Sequence, residues 1–233
     1  MSRVCVIPDM HGSSAWEAVH SLKFDYSVSL GDWFDNPDIS TIQQIKNFKR
    51  YMEWVKIDPE HRFTCIGNHD LAYLDEYPYQ EISGHDAVHH EEISHLLMSN
   101  IKFLRPYVKI ENCVFSHAGV SAFWLASNHM NGIEDLDIPY WWKSPALQFD
   151  LRGYDPSGND VTQGPLWIRP EALLYSSFYP LQCIGHTEIC KDNYLYVCNE
   201  DESKRIIFCD SPTHDLVQII DLKLIEKRKF ISC

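Results

Sequence analysis

Phe63-Thr64-Cys65-Ile66-Gly67-Asn68-His69-Asp70 is the stretch whose reading decides the fold. Its largely apolar first half reads as a buried strand, and the glycine that closes it is where the backbone turns sharply. An amide, an imidazole and a carboxylate then follow one another. At a strand end, that mixture suits a site built from metal ligands and acid/base groups.

The same pattern recurs on either side. Asp9-Met10-His11-Gly12 follows Val4–Ile7, and Gly31-Asp32-Trp33-Phe34-Asp35 follows Tyr26–Leu30. Ser116-His117-Ala118-Gly119 follows Cys113–Phe115, and Gly185-His186-Thr187 follows Leu181–Ile184. Together the clusters offer Asp9, His11, Asp32, Asn68, His117 and His186, an oxygen and nitrogen set without thiolate that fits Mn²⁺, Fe or Zn²⁺. These donors are too many for one ion with open positions and match two ions, about 3.5–4 Å apart, that share a carboxylate.

Val4–Pro8 and Tyr26–Leu30 are predicted strands. Between them, Ser14-Ala15-Trp16-Glu17 has the spacing of a capping box, opening a helix with Trp16, Val19 and Leu22 on its apolar face. A right-handed β-α-β unit puts the polar clusters on one carboxyl edge of a sheet, where α/β folds place their ligands. Ile39, Ile42, Ile45, Phe48, Met52 and Val55 have helical spacing, predicting a long core-packing helix from Asp38 to Asp58-Pro59. His85, His89, His90 and His95 come next. His85 and His89 have the i,i+4 spacing of a helical metal pair, but Asp86, Glu91 and Glu92 around them favour a solvated helix face.

Phe103–Ile110 and Cys113–Phe115 read as a hairpin about Glu111-Asn112. Residues 120–175 are rich in turns and aromatics, predicting short helices and long loops over the site mouth. Within them Trp141 and Trp142, beside Tyr140, either stack a nucleobase or pack as a lid, the lid being the better reading. Leu181–Ile184 is a further strand. Tyr194–Cys198, Arg205–Cys209 and Leu216–Leu222 read as an antiparallel meander, with Asn199–Ser203 as its acidic turn.

With 233 residues the chain is long enough for one sizeable core, and no linker divides it, so a single domain over 1–233 is expected. A net charge of −13 argues against an extended nucleic-acid groove, while cations in a small pocket still attract phosphate. No apolar run is long enough to span a membrane, and no secretion signal is visible. The eight cysteines form no C-x-x-C pair and read as buried apolar residues of a cytoplasmic protein, with Cys233 exposed at the terminus.

These clusters resemble the calcineurin-like metallophosphoesterases, whose pattern of D-x-H, GD-x-x-D, GNH-D/E, H and GH is matched in order from Asp9 to Thr187. The blocks at His117 and His186 are most similar to the branch of bacterial and phage serine/threonine protein phosphatases and diadenosine tetraphosphatases. The resemblance implies a four-layer αββα sandwich of two mixed sheets flanked by helices, with a dinuclear centre at their carboxyl edge. It implies that Asp9 and His11 hold one metal, Asp32 bridges, and Asn68, His117 and His186 complete the second, Mn²⁺ being the expected ion. His69 is then the general acid, oriented by Asp35, and a hydroxide bridging the metals attacks phosphorus in line. Asp70 stands where the family carries the acid of its GNH-D/E block, and supports the ligands from behind.

Two departures bear on substrate. That branch carries Arg-Gly after the second aspartate, where this chain has Asn36-Pro37; Asn36 offers a neutral hydrogen bond in place of a charged fork. Arg169, in Trp167-Ile168-Arg169-Pro170, resembles another phosphate-contacting arginine of the branch and is the expected substitute. Glu188 replaces the last histidine of GH-x-H in other branches. The implied substrate is a phosphomonoester, or the phosphate or anhydride of a small nucleotide. A phosphoprotein is the alternative within the class, and a binding module that has lost its chemistry is the alternative outside it.

Overall fold

Strand β1 (Arg3–Ile7) sends alternate residues into two different cores: Val4 and Val6 into one, Cys5 and Ile7 into the other. That period of two, apolar on both faces, is the mark of a central strand covered on both sides. The computed structural model describes residues 2–74, 82–153, 155–188, 195–198, 203–210 and 217–227. In it β1, β2 (Tyr26–Ser29), β3 (Arg62–Cys65) and β4 (Leu104–Arg105) run parallel in that order, and β10 (Gln218–Asp221) pairs antiparallel on the outer side of β1. The second sheet has the order β5 (Val108–Ile110), β6 (Cys113–Phe115), β7 (Leu181–Ile184), β9 (Arg205–Phe208) and β8 (Leu195–Cys198), with β6, β7 and β9 parallel between antiparallel edges.

The two mixed sheets pack face to face. Val4, Val6, Val28, Leu30 and Cys65 meet Cys113, Phe115, Leu181, Cys183 and Ile207 in the layer between them. On the outer face of the first sheet, helix α1 (Thr41–Ile57) lays Phe48, Tyr51, Met52 and Val55 over Cys5 and Ile7. Each such side chain contributes about 1.5–3 kcal/mol by leaving water. Ala172 and Leu173 of α4 (Pro170–Ser176) cover Ile184, Ile206 and Phe208 of the second sheet. Helices on both outer faces complete the expected α/β sandwich.

Several expectations are corrected. Ala15–Ser21 is a 3-10 helix, and Ser14 makes no side-chain cap; Ser13 Oγ instead accepts the N–H of Ala15 at 3.1 Å. Ile42 is 56% exposed, because the buried stripe of α1 begins only at Gln44 and Ile45. The run Phe103–Ile110 does not form one strand. Pro106, which has no N–H to donate, stands between β4 in the first sheet and β5 in the second, and only β5 makes the hairpin with β6. β10 leaves the predicted meander to join the first sheet. His85 and His89 precede helix α3 (His90–Asn100), where Asp86 Oδ1 accepts the N–H groups of Val88 and His89, so no helical i,i+4 pair exists there.

Cys5, Cys65, Cys113, Cys183 and Cys209 are buried free thiols, while Cys190, Cys233 and residues 199–202 of the acidic turn lie outside the described residues. Among the described residues no helix is long and apolar enough to cross a membrane.

Candidate metal centre

Every parallel strand of both sheets except β4 and β9 ends in one of the polar clusters. Asp9 and His11 follow β1, Asp32 follows β2, and Asn68 opens the single turn α2 (Asn68–Leu71) after β3. His117 follows β6 and His186 follows β7. Fold topology thus gathers residues separated by up to 177 positions: the N–H of His186 donates to Asp9 Oδ2 at 3.0 Å.

The glycines of the clusters make room for that meeting. Gly67 is extended, with φ −102°, so the sharp turn read from the sequence is not made there. A Cβ on Gly67 would instead overlap Asp32 Oδ1, and one on Gly185 would overlap Asp9 Oδ1. Among the described residues, His11, Asp32, Asp35 and His186 are four of seven non-glycine residues with positive φ. A left-handed conformation costs such residues free energy, and its concentration at one site marks function.

Orientation of the imidazoles is fixed from outside. His11 Nδ1 donates to Phe34 O at 2.7 Å, and His117 Nδ1 to Leu30 O at 2.9 Å. His186 Nε2 donates to Trp167 O at 3.2 Å. A carbonyl only accepts, so each of these nitrogens carries a proton, and in the neutral ring the other presents its lone pair. The second nitrogens face acceptors. His117 Nε2 stands 2.8 Å from Asn68 Oδ1, 3.1 Å from His186 Nδ1 and 3.3 Å from Asp32 Oδ2. Buried Asp9 Oδ1 has no hydrogen-bond partner among the described residues.

Lone pairs converging with few protons between them are what a cation site requires. Two ligand groups result, Asp9–His11–Asp32 and Asp32–His117–His186, with the ligand atoms of each within 4.8 Å of one another. Asp32 belongs to both. The residues fit two divalent cations sharing one carboxylate.

Charge balance agrees. Burial, then the neighbouring Asp210 and Asp32, push the Asp9 carboxyl well above its ordinary range. Burial acts the same way on Asp32, but His117 and His69 prevail and hold it well below. Burial, with His117 and Arg169 beside it, drives His186 well down, keeping the ring neutral and able to ligate.

His69 is not among the converging ligands. Its Nδ1 lies 2.8 Å from Asp35 Oδ2, and its ring stands edge-on to His11 at 5.1 Å. Burial lowers its pKa, yet Asp32 and Asp35 more than offset this and raise it. Tyr73 Oη donates to the other oxygen of Asp35. Asp70 accepts the N–H groups of Gly67, Asp32 and Trp33 from behind the cluster.

A cavity of about 510 Å³ opens on the cluster, lined also by His69, Asn36, Arg169 and Glu188. Asn36 spends its side-chain oxygen on the N–H of Asp38 at 2.8 Å. Arg169 donates to Ser157 O, His186 O and Thr187 Oγ1 at 2.9, 3.0 and 3.1 Å. Trp141 and Trp142 are elsewhere. They line a separate cavity with Lys102 and Arg105, so they neither stack a substrate at this site nor cover it.

Two residues went unread in the sequence. Buried Asp210 lines the cavity after β9, and its signal was the familiar one, an apolar run closed by a carboxylate. Tyr73, three residues past Asp70, had no signal short of the fold.

A family model described as calcineurin-like phosphoesterase matches residues 2–190. The chain belongs to that family. It is a phosphoester hydrolase by membership, and the family implies divalent metal ions at the cluster. No curated protein matches it. Solved structures agree in fold. A cold-active protein-tyrosine phosphatase of a psychrophilic Shewanella sp. is 14% identical, with TM-score 0.50, over 92% of this chain and 72% of the other. A protein serine/threonine phosphatase from Saccharomyces cerevisiae is 14% identical, with TM-score 0.53, over 91% and 67%.

Proposed function

We propose that the chain, as one domain over 1–233, is a dinuclear metal-dependent phosphatase acting on small phosphomonoesters or nucleotide phosphates. The observation that carries this is the convergence of imidazole nitrogens and carboxylates about Asp32, beside an Asp35-oriented His69 at the mouth of one cavity. Asp9, His11 and Asp32 would hold one cation, and Asp32, Asn68, His117 and His186 the other. Bound there, the pair neutralises phosphoryl charge and makes water acidic enough to act as a nucleophile near neutral pH.

The chain's own groups do the rest. Asp35 accepts from His69 Nδ1, which leaves Nε2 to give a proton to the departing ester oxygen. Arg169, held by three hydrogen bonds at the cavity wall, contributes a fixed positive charge to a phosphate there. Asp70 fixes the Asp32 loop.

The donor set of carboxylates, an amide and imidazoles favours Mn²⁺, with Fe and Zn²⁺ as the competing ions. The likeness of the His117 and His186 blocks supports kinship with the bacterial and phage protein phosphatase and diadenosine tetraphosphatase branch. Thiols Cys183 and Cys209, 3.5 Å apart, suit a reducing cytoplasm.

The test is hydrolysis of p-nitrophenyl phosphate and bis-p-nitrophenyl phosphate with added Mn²⁺, comparing wild type with His69→Ala and Asp32→Asn. We expect monoester hydrolysis, abolished by Asp32→Asn. Two bound metals with neither ester cleaved would instead make the chain a binding module.

A further inference from the structure

The cavity over the cluster continues into a second. This neighbour, of about 530 Å³, shares Asn68, His69, Ser83 and Arg169 with it and extends between Phe149, Trp167, Leu151, Ile82 and Pro156. Resting on the phosphatase reading above, we propose that this second cavity takes the leaving group, and that the substrate is the phosphate monoester of a flat, uncharged aromatic alcohol.

Four observations carry the assignment. The proton donor stands at the junction, since His69 lines both cavities. An ester oxygen receiving its proton must lie between phosphorus and the group being released, so the alcohol falls on the far side of His69 from the metal ligands.

Beyond the polar groups it shares with the first cavity, the second is lined by apolar side chains. Phe149 meets Trp167 edge-to-face with ring centroids 5.3 Å apart, and Leu151 is 81% exposed at the rim. One exposed leucine means nothing, but contiguous with Phe149, Pro156 and Ile82 beside a catalytic cavity it forms a surface for an apolar occupant.

The shelf is also rigid. Trp167 Nε1 donates to Leu147 O at 3.0 Å, while the Trp167 carbonyl takes the Nε2 proton of His186, tying shelf and ligand together. Flat, fixed aromatic walls favour a flat occupant.

Finally, the shelf has no cation of its own among the described residues. His69 and Arg169 are the only ionisable groups among those that line it, and both also line the cavity over the cluster, where Arg169 serves the transferred phosphate. A second phosphate, or the acidic flank of a phosphopeptide, would lose water there without gaining a separate cation.

Reaction bookkeeping is simple: ArOPO₃²⁻ and H₂O give ArOH and HPO₄²⁻. A water oxygen bonds phosphorus as the P–OAr bond breaks, its electron pair leaving on the aryl oxygen. That oxygen takes the His69 Nε2 proton, and the proton lost by the attacking water restores His69 over the cycle.

The experiment measures kcat/KM of the Mn²⁺-loaded protein for 2-naphthyl phosphate, a phosphotyrosine peptide, a phosphoserine peptide, AMP and glycerol 2-phosphate, in wild type and Leu151→Ser. Competitive inhibition by 2-naphthol is measured beside it, because that alcohol binds without being turned over. We expect 2-naphthol to compete, and the naphthyl-to-glycerol ratio to fall about tenfold in Leu151→Ser, the loss of roughly one buried leucine's contact. Comparing ratios within each protein removes the better intrinsic reactivity of aryl esters. An unchanged ratio, no competition by 2-naphthol, or preference for AMP or the phosphoserine peptide overturns the aromatic assignment and leaves the phosphatase reading standing. Hydrolysis of none of the esters overturns both.

Discussion

Asp70 sits directly behind Asp32: its Oδ2 accepts the N–H of Asp32 at 2.8 Å, and its Oδ1 accepts that of the next residue, Trp33, at 2.8 Å. The same Oδ2 also takes the N–H of Gly67 at 3.0 Å, so one buried carboxylate holds two loops from different strands in register. Burial and the nearby Asp32 push its pKa up to about 7, the cost of placing one acid behind another.

Asp70→Asn tests that support. An amide has one oxygen, so its NH₂ group must face at least one of the three N–H donors. A buried N–H left unsatisfied costs about 1–3 kcal/mol. We expect the urea midpoint to fall accordingly and Mn²⁺ affinity to drop about 10–100-fold, the range for groups that orient ligands. Unfolding and Mn²⁺ titration by electron paramagnetic resonance check both; if neither moves, Asp70 is not holding the Asp32 loop.

His69→Ala separates proton donation from ligation. Loss of a positioned general acid costs about 10²–10⁴-fold in rate. The loss should be smaller for p-nitrophenyl phosphate, whose leaving group needs little protonation, than for an alkyl ester. Two Mn²⁺ should still bind. A matching loss of metal would make His69 a ligand, against its 2.8 Å contact with Asp35.

Tyr73→Phe removes the hydroxyl that donates to Asp35 Oδ1 and also accepts the N–H of Asp86 at 2.9 Å. Asp35, at φ 73°, would then be held chiefly through His69 itself. We expect kcat to fall about tenfold, roughly 1.4 kcal/mol of lost positioning, with KM unchanged. Steady-state kinetics decide it; a pure KM effect contradicts the role.

What the sequence made legible was whatever local chemistry encodes. Strand-end clusters were readable because a buried strand must stop before polar side chains can converge, and Asp9, Asp32, Asn68, His117 and His186 each close an apolar run. Tertiary pairing was not readable. Leu104 and Val108 look like one strand until Pro106 divides them between sheets, and nothing within Gln218–Asp221 says that it returns to β1. Aromatics misled for the same reason: Trp142 and Trp167 look equally available, yet only Trp167 is folded against the site.

Asp86 should contribute a share of the acid sensitivity that one substitution isolates. Burial opposes its charge, but hydrogen bonds from Thr41 and His89 hold its pKa down to about 2. A depressed carboxyl pKa contributes stability that is full above the unfolded value of about 3.9 and is lost as pH falls through the folded value. Wild type should therefore lose stability between pH 4 and about 2 that Asp86→Asn has already lost. Urea midpoints of the two proteins across that range should converge at the acid end; parallel curves would deny the link between α1 and the segment before α3.

Removing metal should expose the strain of the cluster itself. Asp9, Asp32, Asp70 and Asp210 are all buried at one edge, and Asp9 Oδ1 finds no hydrogen-bond partner among the described residues. Without cations these like charges repel in a poorly solvated site, so the metal-free fold is weakened where the loaded fold is knitted together. A ligand at 100 times its dissociation constant stabilises by about 2.7 kcal/mol, so EDTA should lower the melting temperature and Mn²⁺ restore it. Asp9→Asn gives the sharper outcome. Taking one charge from the crowd should make the metal-free protein at least as stable as wild type, while shrinking the gain on adding Mn²⁺. Calorimetric melting of both proteins, with EDTA and with Mn²⁺, checks the crossing. A variant weakened equally in both conditions would mean that Asp9 serves only to hold the His186 backbone through their 3.0 Å hydrogen bond, and not a cation.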